Sequence, residues 1–264
     1  MSGEGVNDPG GARAGGAVVL DTVAKTFPGT RSAPEQRVLE DFSLTVAHGE
    51  LVAVVGASGT GKTTLLHLVA GLESPDRGSV RAGPPAGDGA DSGAGPGARL
   101  GVVFQQPRLL DWLPVRTNVE LALKAAGSPP AHALPALDAV GLADYADQYP
   151  SMLSGGQRQR AAVARAFAVD PDIVLLDEPF SALDELTGRR LRLLLQDLWS
   201  RASRAGLLVT HSPTEAVFLA DRVIVLAGRP ARIAAEHRVD LPRPRSPEDP
   251  ALFDLHRRVV ADLL

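Results

Sequence analysis

The chain contains no cysteine, no long apolar run and no large excess of charge of either sign. Its 264 residues include 27 Lys and Arg against 31 Asp and Glu, a formal net charge of -4. The absence of cysteine excludes disulfides and thiolate zinc sites, and it suits a reducing compartment. Because the net charge is small, no bulk electrostatic attraction draws the chain to nucleic acid or to an anionic membrane surface.

Membrane insertion and secretion are both disfavoured by the sequence. No apolar run approaches the roughly 18 residues needed to cross a bilayer. The Gly-rich residues 1–16 have neither a basic start nor an apolar stretch, so they are typical of a flexible tail and not of a secretory signal. We therefore expect a soluble chain that reaches a membrane only through a partner.

Residues 17–264 are interpreted as a single domain of the α/β class. Two strands are predicted first, and because no helix separates them they are expected to form their own antiparallel layer. Short apolar runs then alternate with helical patterns, which predicts a mostly parallel sheet covered on both faces. Residues 82–98 are mostly Gly, Pro, Ala and Asp, so a low-complexity surface loop is expected there.

The predicted elements follow from apolar periodicity. Strands are predicted at Val18–Phe27, Arg37–Val46, Glu50–Val55, Leu100–Phe104, Ile173–Leu176 and Leu207–Thr210. Helices are predicted from the end of the first glycine loop through Leu72 and at Asn118–Ala126, Ala131–Val140, Gly156–Val169 and Leu186–Ser203.

Four of these strands end in chemically useful residues. The residues that follow them are Gly56, Gln105, the pair Asp177 and Glu178, and His211. In open α/β sheets, ligands bind at the carboxyl ends of the strands, so the four endings predict one site.

The first ending is a phosphate-binding loop. It fits the pattern G-x-x-x-x-G-K-[ST] between a strand and a helix, and its members are Gly56, Ala57, Ser58, Gly59, Thr60, Gly61, Lys62 and Thr63. The glycines let backbone N–H groups point at phosphate oxygens, and the helix N-terminus adds its positive dipole end. Lys62 can reach the β- and γ-phosphates, the Thr63 hydroxyl can ligate Mg²⁺, and the adjoining Thr64 is counted with the nucleotide-binding residues. A magnesium-dependent ATP hydrolase is therefore predicted.

The other three endings supply candidate catalytic groups. Asp177 is assigned to the magnesium shell and Glu178 to polarising the attacking water. Taken alone the pair could be an ordinary acidic loop after a strand, but the upstream phosphate-binding loop favours the catalytic interpretation. A lone histidine is more often structural, yet the position of His211 predicts a γ-phosphate contact. Gln105 is assigned to magnesium or the water.

A second anion site is predicted where another helix begins. Leu153 is followed by Ser154, Gly155, Gly156 and Gln157, with Arg-Gln-Arg next. Ser154 can cap the helix and the glycines leave its first N–H groups accessible. The alternative is an ordinary helix-start loop.

The sequence Leu-Ser-Gly-Gly-Gln followed by Arg-Gln-Arg resembles the signature motif of ATP-binding-cassette (ABC) ATPases. The resemblance extends from Val18 to Val239. It implies a P-loop NTPase core with a helical subdomain at about 106–156, an adenine-stacking role for Phe27 and a nucleotide contact from Asp184 in the aspartate loop. Gln105 matches the glutamine loop, Asp177 and Glu178 the second Walker motif, and His211 the switch histidine.

The resemblance also implies partners. In the family, the signature motif of one subunit closes over the P-loop of another, so a head-to-tail dimer, expected to be a homodimer, would bind two ATPs. An importer would add two transmembrane permease subunits and, indirectly, an extracytoplasmic solute-binding protein, and would place this chain peripherally on the cytoplasmic face of the cell membrane. No nucleic-acid partner is expected.

Three segments are similar to the branch that energises import of nitrate, taurine and aliphatic sulfonates. They are Leu109–Trp112, Gly228–Ile233 and Asp240–Arg245. The chain departs from that branch at Asp111, Gln157 and Ser212.

Two other functions are compatible with a cassette. A soluble ABC ATPase acting on nucleic acid or ribosomes usually carries two cassettes or a long coiled-coil insert, and the sequence has neither. A catalytically inactive scaffold subunit would not need the four groups present here, Lys62, Asp177, Glu178 and His211.

Overall fold

The structure is a computed structural model that describes residues 17–29, 34–83, 93–94 and 98–264. The expected flexible tail, residues 1–16, and most of the expected loop, residues 82–98, lie outside the described residues. The expectations for both segments therefore stay predictions.

The described residues form ten strands and seven α-helices. The strands are β1 (Val18–Phe27), β2 (Gln36–Val46), β3 (Leu51–Gly56), β4 (Arg77–Ala82), β5 (Gly93–Ala94), β6 (Leu100–Val103), β7 (Ile173–Asp177), β8 (Ala205–Thr210), β9 (Arg222–Ala227) and β10 (Arg232–Arg238). The helices are α1 (Lys62–Val69), α2 (Val115–Ala125), α3 (Ala133–Ala139), α4 (Gly155–Ala168), α5 (Glu185–Ser200), α6 (Pro213–Leu219) and α7 (Pro250–Leu263).

Two sheets organise the fold. The four-stranded sheet has the order β2-β1-β4-β5, with β1 antiparallel to both of its neighbours. The six-stranded sheet has the order β10-β9-β3-β8-β7-β6, and its strands are parallel except for the antiparallel edge strand β10. The predicted fold class, a mostly parallel sheet beside an antiparallel layer, is confirmed.

Strand β3 shows why the apolar runs become central strands. All six of its residues are buried. Because side chains alternate along a strand, Leu51, Ala53 and Val55 belong to the core that includes residues of α2 to α7, while Val52 and Val54 join the core that includes α1 and the N-terminal sheet. Burial on both faces fixes β3 at the centre of the six-stranded sheet, directly below the glycine loop.

The predicted strands occur within two residues of their expected bounds, and the helices differ more. The helix after the glycine loop ends at Val69 and not at Leu72, since Gly71 has a φ of 70° and Leu72 is exposed. The helix predicted at Ala131–Val140 begins as a 3-10 turn at Pro130–His132.

Helices α2, α3 and α4 lie between β6 and β7 in the chain and share one core. The boundaries of a helical subdomain at about 106–156, and the treatment of 17–264 as one domain, stay predictions. Among the described residues, no helix has both the length and the apolarity needed to cross a bilayer.

Short helix α6 is held at its C-terminal end by a buried arginine. The Arg245 guanidinium donates to the carbonyl oxygens of Val217, Phe218 and Ala220, at 3.3, 3.1 and 2.6 Å. These carbonyls belong to the last turn, where no intrahelical N–H remains to bond them. Burial, reinforced by the charge of Arg243, lowers the pKa of Arg245 to about 10. Arg245 therefore acts as a side-chain cap for the helix that follows the predicted switch histidine.

Candidate nucleotide site

The four predicted strand endings meet at one edge of the six-stranded sheet. Strands β3, β8, β7 and β6 are consecutive and parallel, so their carboxyl ends point the same way. Two contacts join the endings directly. Thr63 Oγ1 donates to Asp177 Oδ1 at 3.3 Å, and His211 Nδ1 lies 3.2 Å from Glu178 Oε2. The sheet order thus brings together residues more than a hundred positions apart in the sequence.

The glycine loop has the backbone that its sequence predicts. Gly59 and Gly61 have φ values of 75° and 93°, in the left-handed region that favours glycine. A Cβ on Gly61 would lie 2.5 Å from Val38 Cγ1, and one on Gly56 would lie 2.8 Å from the Leu226 carbonyl oxygen. Helix α1 follows directly, and no side chain caps its N-terminus. The loop therefore offers a compact ring of backbone donors at the positive end of a helix.

Lys62 is nearly buried at the base of this loop, with an exposed fraction of 5%. Its Nζ donates to the carbonyl oxygens of Gly56 at 2.8 Å and Ala57 at 3.0 Å. Burial lowers the pKa of Lys62, while the carboxylates of Glu178 and Asp177 act in the opposite direction. The Lys62 ammonium group therefore lies beside the positions predicted for phosphate.

Asp177 and Thr63 form an oxygen-donor pair suited to magnesium. Burial raises the pKa of Asp177, and the hydrogen bond from Thr63 opposes that rise. Among the described residues, no group of three or more His, Cys, Asp or Glu side chains could hold a metal by itself. Magnesium is usually bound through one or two carboxylates together with waters and substrate phosphates, so a hydroxyl–carboxylate pair beside a phosphate loop fits this ion.

Glu178 has a backbone conformation that is uncommon for a residue with a side chain. Its φ is 42°, and its N–H donates to the Val209 carbonyl oxygen at 2.8 Å. Such backbone conformations concentrate at functional sites, where the surrounding structure enforces them. The neighbouring strand β8 thereby fixes the direction of the Glu178 side chain.

A cavity of about 350 Å³ lies above these groups. Its lining includes Phe27 from the N-terminal sheet, Gln105 after β6, and Glu178. The remaining predicted residues on its wall come from the glycine loop and the start of α1, namely Ser58, Gly59, Gly61, Lys62, Thr63 and Thr64. An aromatic ring at one side and phosphate donors at the other match the two ends of a nucleotide.

The second predicted anion site is built differently and lies elsewhere on the surface. Ser154 Oγ accepts from the Gln157 N–H at 3.2 Å, and Gln157 Oε1 accepts from the Ser154 N–H at 2.8 Å. This reciprocal pair is a capping box at the start of α4. Gly155 and Ser154 are exposed, and Gly156 packs against Thr187 in the first turn of α5.

Asp184 is brought to the signature loop and not to the cavity. Its Oδ1 accepts from the Thr187 N–H at 3.0 Å, which caps α5. Hydrogen bonds from the Thr187 side chain and N–H lower the pKa of Asp184. Neither Asp184 nor Ser154–Gln157 lines the nucleotide cavity of the same chain. The nucleotide contacts predicted for these residues are therefore not made in this cavity of the chain.

Comparison with known proteins decides the family. The profile of the ABC transporter family matches residues 39–181, more than half of the chain. The chain belongs to this family. The aliphatic sulfonates import ATP-binding protein SsuB 2 of Burkholderia cenocepacia is 48% identical over 226 residues, which cover 86% of this chain and 82% of the relative. The taurine import ATP-binding protein TauB of Pseudomonas aeruginosa is 47% identical, with 78% of each chain covered.

Solved structures give the same result for the ABC ATPase fold. The ATP-binding cassette MJ0796, in a dimeric post-hydrolysis structure bound to ADP and Pi, superposes with a TM-score of 0.71 at 30% identity. The match covers 84% of this chain and 98% of that cassette. The predicted family, an ATP-hydrolysing enzyme of the ABC type, is confirmed. The roles assigned to individual site residues stay predictions.

One residue of this ABC ATPase that contacts the glycine loop was missed by the sequence reasoning. Arg229, in the turn between β9 and β10, donates to the Ser58 carbonyl oxygen at 3.3 Å. The segment Gly228–Ile233 had indicated a subfamily only. Since 171 residues separate Arg229 from Ser58, the contact follows only from the pairing of β9 beside β3.

Proposed function

We propose that this chain is the ATP-hydrolysing subunit of an importer. It works as a head-to-tail homodimer on the cytoplasmic face of the cell membrane, bound to two separate permease subunits. The observation that carries the proposal is the single sheet edge where Lys62, Thr63, Asp177, Glu178 and His211 converge. We extend the proposal from ATP hydrolysis to solute uptake because the relatives include import ATP-binding proteins.

Some of the site residues bind the nucleotide, and others accept or position the proton of the attacking water. The ring of Phe27 stacks on adenine, and the loop N–H groups and Lys62 bind the phosphates. Glu178 accepts a proton from the attacking water. Its side chain lines the cavity, and the hydrogen bond from its N–H to Val209 holds its backbone in place. His211, 3.2 Å from Glu178, orients that carboxylate and contacts the γ-phosphate.

Thr63, Asp177 and Gln105 are the residues that would hold magnesium in this proposal. When bound, Mg²⁺ neutralises charge that develops on the phosphoryl oxygens. The role of Asp177 is to keep a carboxylate, 3.3 Å from the Thr63 hydroxyl, at the floor of the site. Gln105 is exposed in the loop after β6, where it can respond both to the nucleotide and to what docks beyond it.

The dimer follows from the two anion sites in one chain. Ser154–Gln157 and Asp184 adjoin each other but do not line the cavity of their own chain. A two-fold axis would let each chain place these residues over the cavity of the other, so that both loops meet one nucleotide. The dimeric state of the related cassette supports this arrangement.

A groove beside Gln105 is the proposed docking place for the permease subunits. It has a volume of about 690 Å³, and its walls come from β6, α2 and α4. Arg165 braces its floor by donating to the carbonyl oxygens of Pro107 and Arg108, at 2.8 and 2.6 Å. The segment that begins at Gln105 thus connects the groove to the nucleotide cavity.

The proposed solutes are small oxyanionic nutrients of the nitrate, taurine and aliphatic sulfonate class, delivered by an extracytoplasmic solute-binding protein. The proposal rests on the names of the relatives and on the motifs at Leu109–Trp112, Gly228–Ile233 and Asp240–Arg245. Deletion of the gene should abolish growth on taurine or an alkanesulfonate as sole sulfur source, or on nitrate as sole nitrogen source. Growth unaffected on all three would contradict this solute class.

Substitution of the base tests the catalytic assignment. Glu178→Gln should lower kcat by about 10²-fold or more while ATP binding persists, so that an ATP-bound dimer accumulates. The measurements are phosphate release and the oligomeric state with Mg²⁺ and ATP. Glu120→Gln, on α2 away from the cavity, is the matched control. Hydrolysis at the wild-type rate by Glu178→Gln would show that the base is misassigned.

Copurification tests the importer assignment. The tagged chain, extracted in detergent, should carry integral membrane subunits, and copurification with ribosomal RNA would instead favour a soluble cassette acting on nucleic acid. Ala122→Glu in the groove should lose the membrane subunits, whereas Leu121→Glu, the adjacent exposed residue outside the groove, should retain them.

A further inference from the structure

The switch histidine is itself poorly held by its surroundings. The His211 side chain is 60% exposed, and it contacts the Glu178 carboxylate. An exposed imidazole has several rotamers available, so the backbone that carries it must be fixed if the contact to Glu178 is to persist. The residues on either side of His211 provide that restraint.

A closed set of hydrogen bonds surrounds the histidine backbone. The Thr210 hydroxyl accepts from the Ser212 N–H at 3.0 Å and donates to the Glu215 carboxylate through a short hydrogen bond. Ser212 Oγ in turn accepts from the Glu215 N–H at 3.4 Å and caps α6. Thr210 is fully buried at the end of β8, so these bonds tie the turn that presents His211 to the sheet.

Glu215 is a carboxylate in a place that disfavours charge. Its side chain is 12% exposed, and burial raises its pKa, opposed by the hydrogen bond from Thr210 and by Arg192. Arg192 Nη1 lies 4.0 Å from Glu215 Oε1. A carboxylate withdrawn from water is retained as an ion only when such partners offset its desolvation.

Arg192 also contacts the start of α5 and the segment after β7. Its Nη2 lies 2.9 Å from Glu185 Oε1, in the first turn of α5 after Asp184. Its guanidinium lies 6.0 Å from the ring centroid of Phe180, two residues after the proposed base. One partly buried arginine, with a side chain 15% exposed, therefore touches segments adjoining Asp184, Glu178 and His211.

We propose that Thr210, Glu215 and Arg192 form a positioning unit that holds His211 against Glu178 and ties its position to the start of α5. The inference rests on the proposed roles of Glu178 and His211. None of the three residues lines the nucleotide cavity, so the unit acts on the reaction through the histidine. Because Asp184 caps α5, a movement of the loop that contains Asp184 when a second chain docks would reach His211 through Arg192.

Steady-state ATP hydrolysis with the full chain and Mg²⁺ tests the unit. Thr210→Val keeps the shape and strand preference of the side chain but removes the hydroxyl, and Glu215→Ala removes the carboxylate. Each should lower kcat about tenfold with the KM for ATP unchanged within about twofold, because a misplaced catalytic group affects turnover and not phosphate binding. Thr210→Ser, which restores the hydroxyl, should recover most of the lost kcat.

A double variant shows whether the residues act together. If they form one unit, Thr210→Val with Glu215→Ala should be no slower than the slower single variant. Glu215→Gln serves where the alanine variant fails to fold, since its amide oxygen still accepts from Thr210 while the charge opposite Arg192 is lost, and it should show an intermediate kcat.

Several outcomes would contradict the proposed positioning unit. They are a Thr210→Val variant with wild-type kcat, multiplicative losses in the double variant, or a raised KM with unchanged kcat. A kcat per folded molecule that stays constant while the melting temperature falls would assign these residues to stability alone. Those results would leave the proposed function intact, whereas a wild-type chain without Mg²⁺-dependent hydrolysis would overturn both.

Discussion

Two helices begin at glycine-containing loops, and they begin in opposite ways. At α1 the residue before the helix is Gly61, in a left-handed conformation, and no side chain caps the first N–H groups. At α4 the residue before the helix is Ser154, and the capping box with Gln157 bonds two backbone donors within the loop itself. Beside α1 the charged groups Lys62 and Asp177 are buried, whereas the loop at α4 is exposed.

The difference separates a site that needs its ligand from a surface that is complete without one. Uncapped N–H groups and two desolvated charges all lower stability until an anion and a cation bind. The loop at α4 carries no such deficit, which suits a surface that meets the nucleotide only through another chain. Site-directed changes at each loop should therefore affect different quantities.

Removal of the buried cation should give the largest effect. Lys62→Ala should weaken ATP binding by about 100-fold, because bound phosphate would lose a largely desolvated charged partner. Nucleotide titration of the chain at concentrations too low for dimerisation measures this. In the same titration Ser154→Ala and the exposed control Lys124→Ala should bind like the wild type. Weaker binding by Ser154→Ala would mean that the signature loop contacts nucleotide within its own chain.

A matched pair of glycine substitutions should separate stability from turnover. Gly61→Ala should lower the free energy of unfolding by about 1–3 kcal/mol, since its Cβ would meet Val38 at a φ of 93°. Gly155→Ala should change it by less than about 1 kcal/mol, because nothing lies within 4 Å of its Cβ. Denaturant unfolding measures both.

The same pair should diverge in activity. Gly155→Ala should still lower ATP turnover, because a methyl group would stand on the surface that we propose faces the other chain. A Gly155→Ala variant with full turnover would place the chain–chain contact elsewhere.

Loss of the capping box should produce a smaller change in stability. Ser154→Ala should cost about 1 kcal/mol, which corresponds to a melting temperature lower by about 2–4 °C. Ser151→Ala, in the preceding 3-10 turn, is the control and should melt like the wild type. Equal melting temperatures for the two variants would mean that the cap contributes little in this fold.

The smallest expected effect is a gain in stability from removing a functional charge. Burial raises the pKa of Asp177 above its usual 3.8, so the ionised carboxylate is less favourable in the folded chain than in the unfolded chain. The resulting penalty is absent below the ordinary pKa and grows as pH rises through the raised value. In magnesium-free buffer, Asp177→Asn should therefore melt above the wild type at pH 7, and the difference should shrink as pH falls toward 4.

The exposed control Asp138→Asn should show no comparable gain. A lower melting temperature for Asp177→Asn at pH 7 would mean that Thr63 and Lys62 outweigh the desolvation of the carboxylate.

The residues of the site could be predicted from the sequence because short local motifs define them. Each part of the site is recognisable from a short stretch of sequence. These stretches are the loop pattern at Gly56–Thr63 and the apolar runs before Gln105, Asp177 and His211. Their meeting at one sheet edge could therefore be predicted. Strand β10 could not be predicted in the same way, because its side chains are mostly exposed and have no apolar alternation. The contact of Arg229 with Ser58 also escaped prediction, since it depends on which strand lies beside β3.

Arg245 has a consequence for the order in which the chain becomes competent. A seven-residue helix is too short to persist in water on its own, and α6 depends on Arg245, 25–28 residues later, for bonds to its last carbonyls. During synthesis, His211, the predicted switch histidine, and helix α6 emerge before the residue that caps the helix. The last turn of α6 can thus be completed only after Arg245 has been synthesised.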